Sequence, residues 1–173
     1  NAGIHVISPK LLKERNLSGR VDLDREMLKP LVAAGKMYVY DSPEYVRDMG
    51  TPERYREIAS DYITGKIQAR NLRNKQRVVF LDRDGTLNRY VGFLRNKDQM
   101  ELLSGVAEAV RLINQSEYLA IMVTNQPVIA RGEISYEQLQ LIHDKLETLL
   151  AQKGAYLDAI YFCPHHPDRG YPG

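Results

Sequence analysis

Three groups of residues in this chain have types and spacings suited to chemistry. The first is Asp82-Arg83-Asp84-Gly85-Thr86, which follows directly on the apolar run Val78 to Leu81. Residues i and i+2 of extended backbone project to one side, and two like charges held that close call for a cation or a proton between them. Mg²⁺ suits such an oxygen pair. Gly85 and Thr86 then allow a sharp turn and offer amides and a hydroxyl of the kind that hold phosphate. The same string also fits a plain solvated turn, since Asp and Gly are common turn residues. The second group, Thr124-Asn125-Gln126, follows the apolar run Leu119 to Val123; it reads either as a turn or as a hydroxyl and amides at a strand end. The third is Cys163-Pro164-His165. Thiolate and imidazole are the preferred ligands of zinc, but a structural zinc takes four of them, and a lone cysteine is commonly a small buried apolar residue.

The elements that must position these residues are legible in outline. Val78 to Leu81, Leu119 to Val123 and Ala159 to Phe162 read as strands, and the first is apolar enough to be buried on both faces of a parallel sheet. Between them, Ser104 is expected to cap a helix carrying Val106, Val110 and Ile113 on one face. Ser135 and Gln138 form a capping box before a helix with the stripe Leu139, Ile142, Leu146, Leu149 and Leu150, closed by Lys153 and Gly154. Strand, helix, strand, helix, strand predicts a doubly wound α/β sheet, whose strand carboxyl ends are where ligands bind. Upstream, Gly3 to Ser8 and Lys36 to Tyr40 suit strands, and Asp22 to Ala34 suits a helix stopped by Gly35. Thr51-Pro52-Glu53 is a helix start whose helix runs to about Ile63. The basic run Lys66 to Arg77 marks a boundary that is helical where it begins.

Composition narrows the classes of function. The 173 residues carry 24 Lys+Arg against 22 Asp+Glu, a net charge of +2, with both signs interleaved, which argues against a nucleic-acid-binding surface. Apolar runs fall far short of the roughly 20 residues of a membrane-spanning helix, and the first residues lack the layout of a secretory signal. A soluble cytoplasmic protein is expected. One cysteine, Cys163, excludes an internal disulfide and suits a reducing compartment.

Val78 to Asn88, Val-Val-Phe-Leu-Asp-Arg-Asp-Gly-Thr-Leu-Asn, closely resembles the first motif of the haloacid dehalogenase (HAD) phosphatase superfamily. The resemblance implies a HAD-like, Rossmann-like doubly wound sheet. It also implies Mg²⁺ held by Asp82 and Asp84, with Asp82 as a nucleophile that forms an aspartyl-phosphate. Asp84 would protonate the leaving oxygen and then activate water. Thr124 matches the second motif, which holds the transferring phosphoryl group. Thr124 to Gly132 and Tyr161 to Pro167 look, more narrowly, like the D-glycero-D-manno-heptose 1,7-bisphosphate phosphatases and the related histidinol-phosphate phosphatases. On that likeness Arg83, Thr86, Tyr90, Gly92, Phe93, Thr124, Asn125, Gln126 and Arg131 are candidates to meet a phosphorylated sugar. Pro127-Val128 stands where those families usually have Ser-Gly. Cys163 and His165 match the first half of a structural Zn²⁺ site whose other half is a downstream Cys-x-Cys. The family's lysine and its Gly-Asp-x-x-x-Asp motif have no match in this sequence.

The first third of the chain resembles the last part of the sugar-1-phosphate nucleotidyltransferases, through Asn1-Ala2-Gly3 and Asp48-Met49-Gly50-Thr51-Pro52-Glu53. There the turn's Asp, here Asp48, would be a Mg²⁺ ligand; in the residues alone it equally shapes the turn before a capped helix. The expectation is a bifunctional protein in part: residues 1–65 from a nucleotidyltransferase-like domain, 66–77 a linker, and 78–173 the N-terminal portion of a HAD phosphatase, poorly active by itself. Nucleotidyl transfer as the main activity, a histidinol-phosphate-like substrate and a non-catalytic HAD-like module are the rivals.

Overall fold

A computed structural model describes residues 4–15, 19–40 and 42–168. Its centre is a three-stranded parallel sheet in the order β1 (Arg77–Leu81), β2 (Tyr118–Asn125), β3 (Ala159–Cys163). Val79 pairs with Ala120 and Phe80 with Ile121, while Val123 pairs with Tyr161 and Asn125 with Cys163. This register brings the ends of all three strands, and so all three chemical groups, to one edge of the sheet. Each parallel step needs a crossover, supplied by α5 (Val106–Gln115) and α6 (Tyr136–Ala151).

Both helices lie on the same face. Two successive right-handed crossovers in one direction require this, and Ala107, Val110, Leu139, Ile142, Leu146 and Leu150 share one core with Ala120 and Met122. The opposite face accordingly leaves Phe80, Val123 and Tyr161 exposed. β1 is therefore covered on one face, not on the two that its apolar run predicted.

The capping box of Ser135 and Gln138 forms as expected, and Gly154 takes a positive φ of 70° just past α6. The start of α5 differs. Its cap is Gly105 at φ 81°, with no side-chain bond to the helix amides, and not Ser104. A left-handed residue is needed to turn the chain from Leu103 into the helix, and glycine adopts it without steric cost.

In the first third, Thr51 caps α3 (Pro52–Ile63) and α4 (Lys66–Ala69) opens the basic run, both as read from sequence. A π-helical stretch Leu23–Leu28, capped by Asp22, runs into α2 (Lys29–Ala33), and α1 is Pro9–Arg15. The strands expected over Gly3 to Ser8 and Lys36 to Tyr40 do not form among the described residues; Gly3 lies outside them. Apolar, β-prone residues make a strand only where a neighbouring ladder takes up their amides, and residues 4–8 and 36–40 have none.

The basic run is anchored to the sheet. Arg70 is buried, with Nη1 2.6 Å from Asp158 Oδ1 and Nη2 donating to the carbonyl of Tyr118. Asp158 Oδ2 in turn accepts from the amide of Ala120 at 2.8 Å. One ion pair thus joins the residues before β1 to the starts of β2 and β3.

Candidate active site

The loop after β1 is built around buried polar groups. The amides of Leu87 and Asn88 both donate to the carbonyl of Arg83, at 2.9 and 3.1 Å, and Gly85, at φ 82°, donates to the carbonyl of Asn88. Short ladders tie this turn to residues 101–103, through Arg89 to Glu101 and Leu103 to Leu87. Asp82 stands exposed at the strand end, one of its oxygens accepting the amide of Arg83 at 2.7 Å.

Asp84 accepts four side-chain hydrogen bonds. Its Oδ1 accepts from Arg83 Nε at 3.1 Å and from Asn88 Nδ2 at 3.3 Å. Its Oδ2 accepts from Arg83 Nη2 at 2.8 Å and from Gln126 Nε2 at 2.9 Å. Gln126 Nε2 also lies 2.9 Å from Thr124 Oγ1, so the acid after β1 and the hydroxyl ending β2 are joined through one amide.

Arg83 and Gln126 were expected to meet ligand, but their side chains are 0% and 1% exposed. Their bonds run to Asp84, Thr124 and each other, which places them behind the site as its support. Thr124 is buried at the same edge, while Asn125 and Thr86 are exposed.

A second cluster joins the loop after β1 to the segment after β2. The Arg131 guanidinium lies over the Phe93 ring at 4.1 Å, and Arg131 Nε is 2.8 Å from Glu133. Arg95, from the same loop as Phe93, donates to the other Glu133 oxygen at 2.7 Å. Glu133 thereby fastens the loop after β1 to the segment after β2. Tyr90 is exposed, and Gly92, at φ 77°, turns the chain between Tyr90 and Phe93.

Cys163 Sγ and His165 Nδ1 are 3.5 Å apart at the end of β3, both exposed. Among the described residues no three His, Cys, Asp or Glu side chains converge, so the four ligands a structural zinc takes are not brought together there. Asp48 is remote in sequence from this edge and forms its own turn, bonded to the amide of Gly50 at 2.9 Å and to Arg54 Nη1.

Two members of the site escaped the sequence. Asn88, 0% exposed, bonds Asp84 and the carbonyl of Arg89. His143, 2% exposed on α6, has Nε2 3.4 Å from Arg83 Nη1 and meets Phe162 edge-on at 5.7 Å. Burial, and then the Arg83 charge, push the His143 pKa down to about 4. Its position was periodic, four residues after Leu139 and three before Leu146, but only the fold reveals the arginine opposite.

Comparison with known proteins finds similarity over about half of the chain. A D-glycero-beta-D-manno-heptose-1,7-bisphosphate 7-phosphatase of Yersinia pestis is 42% identical over 90 residues, 52% of this chain and 48% of that protein. A D-glycero-D-manno-heptose-1,7-bisphosphate 7-phosphatase of Thermosynechococcus vestitus is 44% identical over 87 residues, 50% of this chain and 44% of its own. Among solved structures, a D,D-heptose 1,7-bisphosphate phosphatase from B. bronchiseptica, complexed with magnesium and phosphate, superposes with a TM-score of 0.52 at 37% identity. That match covers 56% of this chain and 54% of that one. The fold is HAD-like. A HAD-like protein from Mesorhizobium loti, at 27% identity and a TM-score of 0.51, agrees. No protein-family model matches the chain. The chain spans about half the length of the curated relatives it matches.

Proposed function

We propose that residues 78–173 form the N-terminal portion of a phosphatase that removes one phosphate from a sugar bisphosphate of the D-glycero-D-manno-heptose 1,7-bisphosphate type. The observation that carries this reading is the pairing of an exposed Asp82 with a secured Asp84 and Thr124 at one strand edge. Similarity at about 40% identity to phosphatases of that name supports the same substrate class.

In this mechanism an Asp82 oxygen attacks phosphorus and the bond to the sugar oxygen breaks. A proton carried by Asp84 goes to that leaving oxygen. Asp84 then takes a proton from water, whose oxygen attacks phosphorus, breaks the bond to Asp82 and releases inorganic phosphate. To reach the leaving oxygen, Asp84 must exchange one of its four donors for it. The bond from Asn88, the longest at 3.3 Å, is the one most readily exchanged.

The donor set fits Mg²⁺ as a partner. One Asp82 oxygen has a single backbone donor and the other has none among the described bonds, and Mg²⁺ typically takes one or two carboxylates with the rest of its shell from water and phosphate. Bound there, it would screen the repulsion between the Asp82 carboxylate and the phosphoryl group. Both Asp84 side-chain oxygens face Arg83, so Asp82 is the better placed of the two carboxylates. Phe93 and Arg131 would line the sugar side, with Tyr90, Gly92, Thr86 and Asn125 facing the entrance. Cys163 and His165 would contribute half of a zinc site, the other ligands coming from outside the described residues.

The proposal includes the wider arrangement: residues 1–65 as part of a sugar-1-phosphate nucleotidyltransferase-like domain, with Asp48 toward Mg²⁺. Sequential dephosphorylation of a bisphosphate and nucleotidyl transfer to the remaining 1-phosphate would make the product of one portion the substrate of the other.

The test is Asp82→Asn. Loss of sugar bisphosphate hydrolysis with an unchanged melting profile is expected of that variant in the whole phosphatase of which residues 78–173 would be the N-terminal portion. Retained turnover in that variant would remove the covalent mechanism.

A further inference from the structure

Arg83 carries five N–H donors and no acceptor, and its side chain is 0% exposed. Each neighbour within bonding distance must therefore accept. This fixes Gln126: its Oε1 lies at 2.7 Å from Arg83 Nη2, so its NH₂ faces Asp84 Oδ2 and Thr124 Oγ1, both at 2.9 Å. The two amide hydrogens are both used. It also fixes His143, whose Nε2 at 3.4 Å from Arg83 Nη1 has to be the unprotonated nitrogen of a neutral ring.

The consequence falls on Thr124. A hydroxyl has one proton, and Oγ1 already receives one hydrogen from Gln126. Its own proton points elsewhere, and among the described residues no bond has Thr124 Oγ1 as donor. We infer that Gln126 is a positioning residue that makes the Thr124 hydroxyl a donor toward a phosphoryl oxygen, with Gln126 itself oriented by the buried Arg83 between Asp84 and His143.

This rests on the phosphatase reading, in which Thr124 holds the phosphoryl group. It adds a polarity that the bare motif does not contain. Exchanging the amide for a group of similar size without N–H, as in Gln126→Met, lets the hydroxyl rotate. It also removes the acceptor of Arg83 Nη2 and one donor to Asp84, so the variant's melting profile is measured beside its affinity. A neutral hydrogen bond of this kind is worth up to about tenfold in affinity.

The experiment is a double-mutant cycle read by calorimetric titration of inorganic phosphate, with Mg²⁺ present, into the purified protein. Gln126→Met is expected to weaken phosphate binding by about fivefold to tenfold, as does Thr124→Val. The double variant should bind no more weakly than Thr124→Val alone, because the amide hydrogen that bears on phosphate is the one accepted by Thr124 Oγ1. Additive losses, or unchanged affinity in Gln126→Met, overturn the inference.

A second measurement needs no substitution. The ¹⁵N spectrum of His143 at neutral pH is expected to show a neutral ring with its proton on Nδ1. A proton on Nε2 would set donor against donor and overturn the orientation of the whole network. If Asp82→Asn abolishes turnover while Gln126→Met keeps wild-type phosphate affinity, the polarity alone is wrong. If the wild type releases no phosphate from a sugar bisphosphate and binds no phosphate, the phosphatase reading fails and the inference with it.

Discussion

Replacing Asp158 with alanine should destabilise the protein severely without touching the strand edge that bears Asp82. Asp158 and Arg70 are 3% and 4% exposed and 2.6 Å apart. The substitution leaves a buried guanidinium without its counter-charge, and Arg70 Nε already has no partner in the described structure. It also strands the amide of Ala120, which donates to Asp158 at 2.8 Å in the middle of the sheet. Breaking a buried pair from one side costs about 3–5 kcal/mol, a large share of the roughly 5–15 kcal/mol that holds a domain together. For a chain of this size that is a fall in Tm of roughly 6–20 °C. The double variant Arg70→Met/Asp158→Leu removes both charges and fills much of the volume, so it should recover most of the loss. Urea titration followed by circular dichroism measures both variants. A loss below about 1 kcal/mol for Asp158→Ala, the value of an exposed pair, would show that residues 66–77 are a free linker and not part of the folded unit.

Two further predictions concern α6. His143 is held neutral with its pKa near 4 against 6.5 for the free side chain. The unfolded chain therefore binds the extra proton first, and this site's contribution is complete above pH 6.5 and is lost as pH falls toward 4. The loss amounts to about 3 kcal/mol. Urea midpoints of the wild type and His143→Gln should converge across that window; parallel pH curves would contradict the neutral, buried ring. Ser135→Ala removes the oxygen that accepts the Gln138 amide at 3.2 Å. It should cost about 1 kcal/mol, and thermal melting with no change in Tm would show that the cap contributes nothing.

The strands, their order of appearance and the two capped or striped helices were legible because each is a local pattern: short apolar runs, a 3.6-residue stripe, a Ser and Gln three apart. Asp82, Asp84 and Thr124 were legible for the same reason, as polar residues immediately following such runs. What sequence could not supply depends on contacts between distant segments. Lys36 to Tyr40 has the composition of a strand, yet β structure exists only when a partner ladder is present. Phe80 is as apolar as its neighbours, and its exposure follows from both crossovers falling on one face. Arg83 lay beside two catalytic candidates and so looked ligand-facing. The pleat turns it inward, where Gln126 and His143, 43 and 60 residues away, receive its hydrogens.

The covalent role of Asp82 is tested most directly by rapid acid quench of the whole phosphatase, of which residues 78–173 would be the N-terminal portion, turning over a ³²P-labelled sugar bisphosphate. The account predicts label in the peptide containing Asp82, released by hydroxylamine as an acyl phosphate is, and absent from Asp82→Asn. Turnover with no trapped label, and Asp82→Asn still active, would contradict it.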